Sequence, residues 1–336
     1  MKENRSIRGL GVCFFLLPLG IILISLGTGS YDISPGEVAG IIAGRLTGRE
    51  MVPDAMAASL LWEVRLPRVI GAVLVGAGLA VSGAVFQGLF KNPLASPYTL
   101  GVSNGAGFGA GVAIVLSLPS MMVQLWAIAF GLLSVGLTFL LSMRSRKSTV
   151  TLVLSGMLVS SLFSSLVSLI KFMADPFEKL PEIIFWIMGS LSGVSYDKIM
   201  RILPAYAVSM AVILLLRWKL NVLSIGDQEA RSFGIHVRRD RGIAIVACSV
   251  LTALVVSISG IIGWVGIVIP HMSRMIVGPD FRKLIPVSAS LGICYLLVID
   301  DLCRTLTASE IPIGVVTGII GVPIFLYFIY KRKVSW

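Results

Sequence analysis

The chain has 336 residues, 56% of them hydrophobic and only 13% charged, where soluble domains run near ~45–50% and ~25%. Its mean hydropathy is +0.93, and its apolar residues come in runs of about twenty, the length that carries a helix through ~30 Å of hydrocarbon. Soluble enzymes, secreted disulfide scaffolds and disordered tails are excluded, and a net charge of +11 becomes a question of sidedness rather than of nucleic acid.

Taken in chain order, a basic stretch at Met1–Gly9 precedes the first apolar run, Leu10–Leu26. No A-x-A pattern follows it, so an uncleaved first helix is expected rather than a signal peptide. Further spans are predicted at Val69–Phe86, Tyr98–Leu116, Met121–Ser142 and Thr151–Ile170. A short piece at Ile183–Val194 is too short to cross and is expected to be interfacial or re-entrant. Then come Ile199–Leu216, Gly242–Ile262, a shorter segment at Trp264–Val277 interrupted by Pro270, Leu284–Ile299 and Ile313–Tyr330. The fold class is all-α: a polytopic membrane protein of about ten transmembrane helices, forming one permease domain over residues 1–336.

Charge sets the direction. With the N-terminus inside and ten helices alternating, 19 of the 28 basic residues fall inside and 12 of the 17 acidic residues outside, a clear positive-inside bias. Nine spans would leave Lys331-Arg332-Lys333 outside. Both termini are therefore expected on the cytoplasmic side of the cytoplasmic (inner) membrane.

Many of the 35 glycines lie inside spans, among them Gly71, Gly76, Gly78 and Gly83 in the second. Small residues let helices approach closely in lipid, which suits either plain packing or an inner surface bordering a path. Ser82-Gly83 followed by Pro93, and Ser259-Gly260 followed at the same distance by Pro270, lie on spans of opposite predicted direction and suggest an inverted repeat. Cys13, Cys248, Cys294 and Cys303 make no metal-ligand spacing and are read as small hydrophobes. His271 is read as a structural helix-end residue, and no metal or cofactor site is expected.

Three stretches carry more information. The first runs Arg65-Leu66-Pro67-Arg68, then Ser82-Gly83 and Gln87, then Lys91-Asn92-Pro93-Leu94-Ala95-Ser96-Pro97 and on to Gly107. The second, Leu223 to Gly234, contains Gly226-Asp227 and Glu229-Ala230-Arg231. The third runs from Ser259-Gly260 through Gly266, Pro270-His271 and Arg274 to Asp300-Asp301, Arg304 and Glu310. Read from the residues, the second stretch lies in the largest inner loop, about 220–241. Its acidic-small-basic order before Gly234 predicts a short helix ended by a glycine cap.

Together these stretches resemble the FecCD family, the membrane subunits of ABC importers for vitamin B12, ferric siderophores and haem. The resemblance implies a type II importer permease that pairs with a second copy of itself, two cytosolic ABC ATPase subunits and an extracytoplasmic substrate-binding protein. It implies that Gly226, Asp227, Glu229, Ala230, Arg231, Phe233 and Gly234 form the ATPase-coupling helix, with Phe233 as apolar anchor. It assigns Arg65, Arg68 and Arg304, expected at the outer surface, to binding-protein docking, and Asn92, Leu94 and Thr149 to an inner gate on a path lined in part by the second, third and fifth spans. Membrane lipid is the remaining partner.

Enzymatic readings lack their residues. No GxSxG, HExxH or Walker A pattern occurs, and Asp300-Asp301, the only adjacent acidic pair, point ~100° apart on a helix. An ion-coupled secondary transporter would favour charge in mid-span, of which there is little. The expectation is a non-enzymatic transport subunit, with ferric siderophore as cargo and cobalamin, haem or molybdate as alternatives.

Overall fold

The computed structural model describes residues 2–29, 31–48, 54–143, 149–307 and 309–331. Arg49, Arg144, Arg146, Lys147, Arg332 and Lys333, counted in the charge analysis, lie outside the described residues. Among those described the chain is helical, without strands.

Helix α1 (Lys2–Gly27) is followed by two short helices, α2 (Pro35–Thr47) and α3 (Ala55–Ser59). The start of α2 is built from Ser34 and Glu37, each bonding the other's backbone N–H, with Pro35 in the first turn. This is a capping box, which satisfies two otherwise orphaned donors. A π-helical turn, Leu60–Arg65, joins α3 to α4 (Leu66–Phe90). There follow α5 (Val102–Val115), α6 (Ser120–Met143), α7 (Thr149–Met173), α8 (Lys179–Met188) and α9 (Tyr196–Ile225). The short α10 (Asp227–Ser232) precedes α11 (Val237–Ser259), α12 (Val265–Val277), α13 (Phe281–Thr305) and α14 (Ile313–Lys331).

Six of these helices are long and apolar enough to cross a bilayer, and α1, α5, α12 and α14 supply four shorter apolar stretches. The helix α8 replaces the predicted interfacial piece and does not cross. Two boundaries differ instructively. The apolar run ends at Leu216, but α9 continues to Ile225 because Arg217, Trp218 and Lys219 end the hydrophobicity without ending the helix. At 1.5 Å per residue its 30 residues reach ~45 Å, about two turns or more beyond the hydrocarbon. Conversely α5 and α12, at 14 and 13 residues, are too short to span alone. Irregular backbone next to each is tolerated because protein, not lipid, surrounds it.

Helix α4 is the hub: 21 of its 25 residues are buried, and α9, α11, α12 and α13 surround it. Its glycines are the reason it fits. A Cβ on Gly83 would strike the Gly266 carbonyl on α12, and one on Gly76 would strike Gly292 on α13. The second span is thus enclosed rather than bordering a path along its length. Helices α4 and α11 run antiparallel, with Gly78 beside Val255 and Ser82 donating to the Cys248 carbonyl. The order long helix, broken connection, short helix and two further helices occurs twice, as α4 to α7 and α11 to α14. The motifs that suggested a repeat are not its equivalent points. Ser82-Gly83 lies inside an unbroken helix, whereas Ser259-Gly260 ends one with φ of 66° at the glycine.

Candidate functional site

Two clusters, at opposite ends of the bundle, gather the residues singled out in the sequence.

At the predicted inner end, α10 hangs from the extension of α9. Gly226 is extended, and the six-residue helix closes on Gly234, whose φ of 74° favours glycine. The Gly234 N–H donates to the Arg231 carbonyl at 2.9 Å and the Ile235 N–H to the Ala230 carbonyl at 3.0 Å. This is a Schellman closure, with buried Ala230 and Ile235 as its apolar pair. Asp227 at the helix start accepts from Arg241 of α11 at 2.5 Å, and that hydrogen bond holds its carboxyl below the ordinary value. Glu229, Arg231 and Phe233 face outward, Phe233 at 63% exposure. The predicted glycine-capped helix is present, presenting one apolar and two charged side chains.

The turn after α4 lies beside it. Lys91 caps α4 in the left-handed conformation (φ 49°), and its Nζ donates to the Ile225 carbonyl at the end of α9, at 2.6 Å. Asn92 caps a turn: its Oδ1 accepts from the Leu94 N–H at 2.9 Å, and its carbonyl from the Ala95 N–H. Gln87, fully buried, donates to the carbonyls of Pro93 and Ile267, tying the turn to α4 and α12. Leu94 is left 53% exposed at the rim. The chain then passes through the 3-10 turn Pro97–Leu100 against α7, where Gly156 lets the Thr99 carbonyl approach. Thr149 is the first residue of α7, and its side chain lies outside the described residues.

At the predicted outer end the arginines correct the sequence expectation. Arg65, Arg68 and Arg304 are not on the surface; they are 3%, 6% and 7% exposed. Arg65 donates to the backbone carbonyls of Leu26, Gly27 and Tyr31. Arg68 forks onto Asp300 at 2.9–3.0 Å and reaches Glu310 at 2.7 Å. Arg304 donates to Thr28 and Ser25 carbonyls at 2.6 Å and pairs with Asp301, which also accepts from Ser25 Oγ at 2.7 Å. Bidentate pairs of this kind fix geometry as well as charge. They fasten the ends of α1 and α13 to the start of α4. Among the described charged residues of this network Glu310 is the most exposed, its side chain at 43%.

His271 lies inside α12 rather than at its end, edge-on to Phe325 at 5.4 Å. Cys248, Cys294 and Cys303 are buried. Sequence reasoning missed Lys91, Arg241 and Glu310 as partners and the exposed row Ser161, Ser164, Ser165 and Ser168 on α7. The spacing of those serines, one helix face, was readable in principle.

Comparison with known proteins takes in nearly the whole chain. The profile of the FecCD transport family matches residues 16–331. The molybdate import system permease protein MolB of Haemophilus influenzae is 39% identical over 312 residues, 93% of this chain and 92% of that one. The vitamin B12 import system permease protein BtuC of Citrobacter koseri is 34% identical, over 99% and 97%. A solved structure of an ABC transporter of metal-chelate type, in an inward-facing conformation, superposes with a TM-score of 0.87 at 37% identity, covering 97% of this chain and all of that one.

Proposed function

The chain belongs to the FecCD transport family, a type II ABC importer permease by fold, and from that premise we propose how it works and what it carries. It acts as a single permease domain, both termini cytoplasmic, paired with a second copy and driven by two cytosolic ATPase subunits. The observation that carries this reading is α10, a short helix closed by Gly234 at the end of the extended α9. Phe233, Glu229 and Arg231 seat it in an ATPase cleft, while Gly226 and Gly234 set its ends. Motion there passes through the Lys91 contact to the end of α4 and to the turn Asn92–Leu94. That turn, with Thr149 at the start of α7, forms the inner gate.

Between two copies the path runs along α7. A row of four exposed hydroxyls is unsuited to lipid and suited to a water-filled passage. The substrate-binding protein docks at the opposite end. Because Arg65, Arg68 and Arg304 already hold partners within the chain, an acidic group of that protein reaches Arg68 by displacing Glu310, and the other two arginines hold the rim in register. Such contacts govern on-rate and orientation more than total affinity.

The cargo we propose is a ferric siderophore, a metal chelate enclosed by its binding protein; cobalamin and haem are alternatives. Molybdate is a second reading, favoured by the identity to MolB. Vesicles holding the chain, its ATPase and its binding protein decide the matter: labelled iron-siderophore and labelled molybdate are offered in parallel. Glu229→Ala/Arg231→Ala is expected to leave the chain inserted and abolish uptake. ATP-independent uptake by the chain alone, or unchanged uptake by the variant, rejects the proposal.

A further inference from the structure

The seam between α9 and α11 takes no part in the transport reading. The two helices pack together, yet on one side they leave a groove of about 770 Å³. Val208 and Val212 form one wall, and Gly242, Val246 and Val250 the other. Two features keep it open. Pro204 lies inside α9, where it removes a backbone donor and disturbs the helix. Gly242 has nothing within 4 Å of where a side chain would begin. Val208 is 64% exposed and Val246 51%, so the groove opens sideways from the bundle, between the apolar stretches of two candidate spans.

Its charge lies at one end. Arg238 and Arg239, in the first turn of α11, close the groove at its inner mouth. Both are exposed. The carboxylate beside them, Asp240, is buried and held by Lys219 at 3.1 Å, with Arg239 Nε at 3.5 Å. Arg217, also exposed, stands on the inner part of α9. The mouth therefore carries more positive than negative charge. From Arg238 to Val250 the wall runs ~18 Å at 1.5 Å per residue, close to one leaflet of a ~30 Å hydrocarbon core. A fitting occupant is a long apolar chain with an anionic head at the arginine end.

We propose that this groove binds one anionic phospholipid of the cytoplasmic leaflet, its headgroup phosphate on Arg238 and Arg239 and an acyl chain between Val208 and Val246. Basic pockets between helices on the cytoplasmic side suit such headgroups. The choice of leaflet rests on the orientation proposed above; binding in detergent does not, so the two can fail separately. The test is native mass spectrometry of the purified full-length chain, titrated with phosphatidylglycerol and, for comparison, phosphatidylcholine.

The native chain is expected to retain one phosphatidylglycerol in preference to phosphatidylcholine. Arg238→Gln/Arg239→Gln removes two exposed cations and is expected to weaken that binding about thirtyfold. Val246→Trp keeps both arginines, fills the groove and is expected to reduce retention of either lipid; Val208→Trp does the same from the other wall. Equal binding of the two lipids by the native chain overturns the proposal, as does phosphatidylglycerol retention that survives the double arginine variant or both tryptophan variants.

Discussion

Replacing Asp300 by alanine is expected to cost about 3 kcal/mol or more of stability. Asp300 has no exposed surface and accepts three contacts of 2.9–3.0 Å from Arg68. Without it the Arg68 guanidinium, 7% exposed, keeps only Glu310. Breaking a buried pair by removing one partner costs ~3–5 kcal/mol, whereas a pair reaching the surface offsets no more than about 1 kcal/mol. Removing both charges tests the origin of the loss. Arg68→Met/Asp300→Leu fills the same space with apolar groups, leaves Arg304 its Asp301 partner, and is expected to lie within about 1 kcal/mol of the native chain. Unfolding in mixed micelles with rising sodium dodecyl sulfate, followed by tryptophan fluorescence, measures all three. Native-like unfolding of Asp300→Ala, or a double variant weaker than the single, refutes the reasoning. If Arg68 served docking alone, the single variant would lower partner affinity and leave unfolding unmoved.

Gly83→Ala puts a Cβ 2.7 Å from the Gly266 carbonyl carbon. It should destabilise by about 1–3 kcal/mol in the same unfolding assay, while Gly136→Ala, with nothing within 4 Å, stays within about 1 kcal/mol of native. Lys91→Met removes the charged donor to the Ile225 carbonyl, a solvent-exposed bond worth about 1 kcal/mol or less. In reconstituted vesicles uptake per ATP hydrolysed should fall by up to about fivefold, and an unchanged ratio would remove Lys91 from the coupling route. The Asp227 carboxyl is held low by the Arg241 hydrogen bond. Its hold on α10 is therefore complete above the ordinary value of 3.8 and lost as pH falls through the lower, folded value. Hydrogen exchange of residues 227–233 should show no protonation-linked loosening between about pH 5 and 8; a midpoint near neutrality would contradict the assignment.

Span placement was legible because hydrocarbon imposes a length on every crossing helix, and α10 because a glycine with positive φ is a local signal. The depth of Arg65, Arg68 and Arg304 was not. Positive-inside counting assigns a side of the membrane, not a distance from water, and their partners come from far along the chain: Asp300 lies 232 residues from Arg68 and Thr28 lies 276 from Arg304. The reach of α9 past Leu216 was hidden for a related reason, since hydropathy reports where lipid ends and not where the backbone stops coiling. The glycines of α4 read equally as packing or as a path, and only the carbonyls facing Gly76 and Gly83 decide for packing.

A helix clasped main chain to main chain on two sides has no freedom to travel as a piston. On the proposed route, a displacement arriving through Lys91 would carry α12 and α13 with α4, so that the chain would tip as one block. On the reading proposed above, widening and narrowing would belong to the margins of that block, where Leu94 and the serines of α7 stand exposed.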